Sequence, residues 1–180
     1  MQNSLKKLRR RRMAKLAFIL CILFIFLRLY IFIPTDVTGI SMYPTLSSND
    51  KVLMSTVSRI ERFDIIVFTD PMNKTVVKRV IGLPGETIRY EQDQLYINDE
   101  AIAEPFLNRP EIIDEKGLWT SNFTYIGSEG TVVPEGQYFL MGDNRRYSYD
   151  SRFYGSIAEE ELIGEVLMLY DPIERFEIFQ

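Results

Sequence analysis

Ser41 lies in the stretch Gly39-Ile40-Ser41-Met42-Tyr43-Pro44-Thr45-Leu46, between a glycine that frees the backbone and a proline that stiffens it. A hydroxyl held in such a frame is a candidate nucleophile, and a nucleophilic serine needs a base. The same eight residues also suit a surface turn whose serine bonds only to nearby backbone. Histidine is absent from all 180 residues, which excludes Ser-His and Cys-His catalysis and every zinc site that needs imidazole. The only cysteine, Cys21, sits in an apolar run, where a thiol is a poor nucleophile or metal ligand. No cofactor and no metal centre is expected, and any base must be Lys, Asp, Glu or Tyr.

Lys78 stands out among the lysines. In Thr75-Val76-Val77-Lys78-Arg79-Val80-Ile81, the period-two alternation of a strand puts Val76, Lys78 and Val80 on one face. An amine between two valines is partly desolvated, which favours its neutral form, and a neutral amine can take a proton from a serine hydroxyl. The competing reading is a lysine reaching off a strand edge into water. Arg79 is expected on the opposite face, in a structural role. A third stretch, Gly142-Asp143-Asn144-Arg145-Arg146-Tyr147-Ser148-Tyr149-Asp150-Ser151-Arg152, mixes acids, bases and hydroxyls at a density suited to a buried hydrogen-bond network, or to a solvated loop.

Elements must position these groups. Residues 1–15 form a basic tail, and Leu16 to Ile33 is apolar except for Arg28. Those 18 residues, as a helix, come to roughly 27 Å, close to the hydrocarbon thickness of a bilayer. Arg28 and Tyr30 are expected at the interface, and the basic flank keeps the N-terminus cytoplasmic. No small-residue cleavage site follows the run, so residues 16–33 are read as an uncleaved transmembrane anchor. Residues 34–180 then form an extracytoplasmic, mostly β domain. Strands are predicted at Lys51–Met54, Asp64–Phe68, Thr75–Ile81, Thr87–Tyr90, Leu95–Ile97, Gln137–Met141 and Val166–Tyr170, with a loop-rich insertion over 99–130 packed by Trp119, Phe123 and Tyr125. Ser156 to Leu162 is predicted as one or two helical turns capped by Ser156 and Glu159.

The charge is split. Residues 1–33 hold eight bases and no acid, leaving 13 bases against 25 acids for residues 34–180, a net of −12. An acidic body is a poor prospect for nucleic acid, and the lipid bilayer is the expected partner of the basic, apolar end.

The three motifs together resemble bacterial type I signal peptidases, in their compact single-span form. The matching residues are Ser41-Met42-Tyr43-Pro44-Thr45-Leu46, Val77-Lys78-Arg79-Val80-Ile81-Gly82-Leu83-Pro84-Gly85-Glu86, and Gly142-Asp143-Asn144-Arg145 with Ser148, Asp150, Ser151 and Arg152. The resemblance implies an antiparallel β-sheet catalytic domain of the signal-peptidase type with one N-terminal transmembrane helix. It implies a Ser/Lys endopeptidase that cuts signal peptides from exported preproteins, after small residues, at the membrane surface. Ser41 would be the nucleophile and Lys78 the general base. Ser148 would orient the lysine amine, Asp150 and Arg152 would form a supporting ion pair, and Asp143 and Arg145 would belong to the same scaffold.

One position departs from the family pattern. Some members carry a hydroxyl residue two places before the nucleophile as an oxyanion donor; here that place is Gly39, which leaves the second donor open beside the Ser41 N–H. Two other readings compete. One is a catalytically weak or silent relative that assists surface-protein assembly at the membrane. The other is a self-cleaving regulator of the related Ser/Lys fold, which would carry a DNA-binding module where this chain has its apolar run.

Overall fold

The computed structural model describes residues 2–113, 115–127 and 130–179, with the side chains of 2–5, 8 and 27–30 also outside the described set. Helix α1 spans Gln2–Tyr30 and so takes in the basic cluster as well as most of the apolar run. It ends earlier than the predicted anchor. Phe32 and Ile33 belong instead to strand β1 (Phe32–Asp36), which pairs antiparallel with β2 (Lys51–Ser55). Among the described residues, no helix is long and apolar enough to cross a membrane. Exposed apolar side chains nonetheless lie on every side of α1 between Leu16 and Phe26, including Phe18, Leu20, Ile22 and Phe24. The interfacial placement expected of Arg28 and Tyr30 lies outside the described residues.

The remaining strands are β3 (Ile65–Thr69), β4 (Thr75–Gly82), β5 (Ile88–Glu91), β6 (Gln94–Ile97), β7 (Glu100–Ile102), β8 (Phe123–Thr124), β9 (Gln137–Met141), β10 (Ile157–Ala158), β11 (Leu162–Asp171) and β12 (Glu177–Ile178). They form an eight-stranded sheet in the order β1-β2-β11-β3-β4-β9-β10, with β12 against β11, and a four-stranded sheet in the order β7-β6-β5-β8. All of the paired strands are antiparallel. The mostly β, antiparallel reading therefore holds.

Every residue of strand β3 is β-branched or aromatic, and the strand is buried along nearly its whole length, as an interior strand should be. The turn from β3 to β4 is built by Asp70, whose carboxylate accepts from the N–H groups of Met72 and Lys74, both at 2.9 Å. The register that follows sets Lys78 opposite Ile66 and Arg79 opposite Ile65. β4 lies between β3 and β9, so both cations sit on an interior strand that no solvent edge can relieve.

The Ser41 turn hangs between β1 and β2 and is pinned from below. Met42 and Leu46 are buried among Val52, Ile65, Val67 and Val166. The loop base is clamped from the far end of the chain. Arg175 donates to the Asp50 carboxylate at 2.6 and 2.8 Å and to the carbonyls of Pro44 and Thr45, both at 3.0 Å. Nothing in the sequence pattern pointed to Arg175, because its partners lie some 130 residues away.

Residues 99–130 contain more order than a loop-rich insertion implies: β7, a short helix α2 (Pro110–Ile113) and β8. The expected aromatic packing is present. Phe123 stacks on Tyr90 and Phe139, and Tyr125 meets Phe139 edge-on. The predicted helix over 156–162 is absent. Its place is taken by β10, a 3-10 turn at Glu159–Glu161 and the start of β11. Ser156 caps nothing: its hydroxyl bonds Gln137 Oε1 at 2.5 Å and Tyr125 at 3.0 Å. The helix forms earlier, as α3 (Ser151–Tyr154), with Asp150 as its N-cap.

Candidate active site

Lys78 Nζ lies 2.7 Å from Ser41 Oγ and 3.0 Å from the carbonyl of Val77. Lys78 is only 3% exposed, whereas Ser41 is half-buried and reaches a cleft of about 100 Å³ lined by Met42, Val67, Val76 and Val77. Burial pushes the Lys78 amine down from 10.5 to about 8; the carboxylates of Asp150, Asp70 and Asp143 oppose that shift, and Arg152 adds to it. At pH 7 roughly a tenth of such amines are neutral, against fewer than one in a thousand for an ordinary lysine. When charged, the amine donates to Ser41 Oγ. When neutral, its lone pair can accept the hydroxyl proton instead.

The loop after β9 carries the other predicted residues. Asp150 and Arg152 pair as expected, with Nε–Oδ1 and Nη2–Oδ2 contacts both at 2.8 Å. Asp150 also accepts the Gly142 N–H at 3.0 Å. Asp143 forms a buried two-point pair with Arg79, at 2.8 and 2.6 Å, and Arg79 donates further to the Phe63 carbonyl at 2.7 Å. Arg79 thus serves the loop from the face opposite Lys78.

Arg145 turns the other way, toward the insertion. Its guanidinium bonds the Glu104 carboxylate, Tyr90 Oη at 2.8 Å, Thr120 Oγ1 at 3.1 Å and the Gly142 carbonyl at 3.1 Å. Burial works against the charged guanidinium, but the anionic surroundings hold it above its ordinary value. Burial raises the Tyr90 hydroxyl well above its own ordinary value, so at neutral pH Tyr90 is a neutral partner. Trp119 completes the attachment by donating Nε1–H to the Asp143 carbonyl at 2.9 Å. Glu104, Tyr90 and Thr120 escaped sequence reasoning. A buried acid in a polar insertion has no local signature.

Ser148 is placed differently from the expectation. Its hydroxyl is buried with no hydrogen-bond partner, neither Lys78 nor any other group among the described residues. It lies against Gly142 instead, where a Cβ would come within 2.3 Å of Ser148 Oγ and 2.4 Å of the Ser41 carbonyl oxygen. Only glycine lets the β9 loop approach the nucleophile turn this closely. Asn144 joins the two stretches: its N–H donates to the Ser41 carbonyl and its side chain to the Ile40 carbonyl, both at 3.0 Å. At Gly39, φ is +88° and a Cβ would meet nothing within 4 Å. The space beside that residue is open, but its backbone conformation favours glycine.

An amine and a hydroxyl in contact, with no imidazole in the chain, can carry out acyl transfer. The residues matched by known proteins span this whole arrangement. The family described as Signal peptidase, peptidase S26 matches residues 10–170. Signal peptidase I V of Bacillus subtilis (strain 168) is 44% identical over 141 residues, covering 76% of this chain and 84% of that protein. Signal peptidase I of Bacillus caldolyticus is 41% identical over 157 residues, covering 83% and 85%. A crystal structure of a signal peptidase I from Enterococcus faecalis V583 superposes with a TM-score of 0.56 at 40% identity, covering 61% of this chain and 97% of that one. The chain belongs to the signal peptidase family of serine proteases and is a type I signal peptidase, an enzyme that cleaves signal peptides.

Proposed function

We propose that Ser41 is the nucleophile and Lys78 the general base of this peptidase. The observation that carries the reading is the 2.7 Å contact between a buried amine and a hydroxyl that opens onto a cleft. Ser41 Oγ adds to the scissile carbonyl carbon as its proton passes to Lys78 Nζ. The tetrahedral intermediate collapses, and the ammonium returns that proton to the departing amine of the mature chain. Water then attacks the acyl-enzyme as Lys78 accepts its proton, the ester C–O bond breaks, and the ammonium passes that proton to the departing Ser41 Oγ, which restores both groups. The Ser41 N–H is one donor to the oxyanion. Asp143, Arg145, Asp150 and Arg152 keep the supporting loop in place, and Ser148 sits close to it without bonding Lys78. The cleft of about 100 Å³ beside Ser41, walled by Met42 and four valines together with Asp36, Thr38 and Thr75, receives the small side chain before the cut.

The substrates are signal peptides of exported preproteins. We propose further that residues 1–15 stay in the cytoplasm, that 16–33 anchor the chain in the bilayer although β1 begins at Phe32, and that 34–180 form the extracytoplasmic catalytic domain. The uncovered apolar side chains of α1 support this, as does the basic cluster before them. An anchored enzyme meets its lipid-held substrate in nearly two dimensions, which raises the effective concentration.

One experiment tests both parts. Membranes carrying the full chain are washed with alkaline carbonate and given a labelled preprotein, with the cut site read by mass spectrometry. The wild type is expected to stay in the pellet and cut after a small residue. Ser41→Ala and Lys78→Ala are expected to stay in the pellet and leave the preprotein intact. Cleavage by either variant rejects the Ser/Lys assignment, and extraction of the wild type by carbonate rejects the anchor.

A further inference from the structure

Asn144 belongs to neither of the two reacting groups, yet it holds both peptide units of the nucleophile turn. Its side-chain amide donates to the Ile40 carbonyl at 3.0 Å and its own N–H donates to the Ser41 carbonyl at 3.0 Å. The residue is 5% exposed. Its Oδ1 is buried without a hydrogen-bond partner, so the side chain is used here as a donor only. The assignment of the amide is fixed chemically, since the reverse orientation would set Oδ1 against a carbonyl oxygen.

Peptide planarity turns this clamp into a statement about catalysis. The Ile40–Ser41 bond is trans, and in a trans peptide the C=O and the following N–H point in opposite directions. Holding the Ile40 carbonyl toward Asn144 therefore aims the Ser41 N–H away from it. The same holds one residue on: fixing the Ser41 carbonyl aims the Met42 N–H. Neither N–H has a hydrogen-bond partner among the described residues, and both residues line the cleft beside the nucleophile. At Gly39 no side chain helps to fix the turn, and its φ of +88° is one that glycine adopts readily and other residues seldom do.

We infer that Asn144 is a positioning residue for the oxyanion site, aiming the backbone N–H groups of Ser41 and Met42 at the oxygen of the tetrahedral intermediate. The inference rests on Ser41 being the nucleophile. The Met42 N–H supplies the second donor that Gly39 cannot.

The test compares two ligands on the full-length enzyme. One is a signal-peptide fragment ending in alanine aldehyde, the other the same fragment ending in the alcohol. With the aldehyde, Ser41 Oγ bonds to the carbonyl carbon, the hydroxyl proton moves to Lys78 and the carbonyl oxygen becomes the oxyanion. The alcohol makes the same ground-state contacts and no oxyanion. The wild type is expected to bind the aldehyde at least about 100-fold more tightly than the alcohol. In Asn144→Leu and Asn144→Ala that ratio falls by about 10-fold or more, with alcohol affinity kept. Asn144→Leu is near in shape and removes the orphaned acceptor, and Ile40 O retains the Tyr43 N–H, so its melting temperature is expected to hold. An unchanged ratio in the variants, or equal weakening of both ligands, overturns the inference while the Ser41 assignment stands. A wild-type ratio near one rejects the Ser41 assignment and this inference with it.

Discussion

Lys78→Met is expected to end cleavage and, in the same protein, to raise stability at pH 7 by about 3 kcal/mol, the free energy of the downward shift of the amine from 10.5 to about 8. The native fold places an ammonium where burial disfavours it. Below pH 8 that penalty is fully present. Between about pH 8 and 10.5 the unfolded chain still binds the proton that the native lysine has lost, so wild-type stability rises with pH across this window. Above it, both states are neutral and the advantage of methionine disappears. Methionine fills a similar volume and needs no hydrogen-bond partner. Cleavage should fall by at least about 10³, the usual scale for removing a general base from an acyl-transfer site. Urea unfolding of the two proteins at pH 7, 9 and 11 checks the stability arm. A destabilised variant, or a gap that does not change with pH, contradicts a desolvated amine.

The second large effect is expected from Glu104→Ala. Arg145 has no exposed side-chain surface and Glu104 has 6%, so alanine leaves a buried guanidinium without its anion. Tyr90 and Thr120 stay as neutral partners and cannot balance the charge. The expected loss is about 3–5 kcal/mol in the urea midpoint analysis. Activity should fall with it even under conditions where the variant stays folded, because Arg145 also holds the Gly142 carbonyl beside the nucleophile turn. The double variant Glu104→Leu with Arg145→Met removes both charges and should recover much of the stability. A loss of less than about 1 kcal/mol for Glu104→Ala would show that the pair carries little of the loop's support.

These two sites also show what the sequence could reveal. Lys78 was legible because strand periodicity is local: valines at 76 and 80 place the amine on an apolar face without any knowledge of the partner strands. Ser41 was legible from its Gly and Pro neighbours and from the absence of histidine, which left a lysine as a natural base. The interior strands β3, β4 and β9 read clearly for the same local reason. What escaped depended on distance along the chain. Glu104 and Arg145 are 41 residues apart, Arg79 and Asp143 are 64 apart, and neither pairing has a spacing rule. β1 was hidden by the apolar run it continues, since Phe32 and Ile33 look alike in a helix and in a strand. The turn at Ser156 had a plausible capping pattern. Asp150 had the better one, and pairing with β9 drew Ile157 and Ala158 into the sheet. Ser148 was assigned by resemblance to the lysine amine, yet its hydroxyl lies against Gly142 with no partner.

The most direct measurement is the titration of the Lys78 side chain in the folded, full-length enzyme. Lysines labelled with carbon-13 at the ε position report their own protonation by NMR, and the Lys78→Met spectrum identifies the signal. A midpoint near pH 8, well below the ordinary lysine value, is the predicted result. A Lys78 signal that titrates near 10.5, the ordinary lysine value, would mean a fully charged amine at working pH, and no base for Ser41.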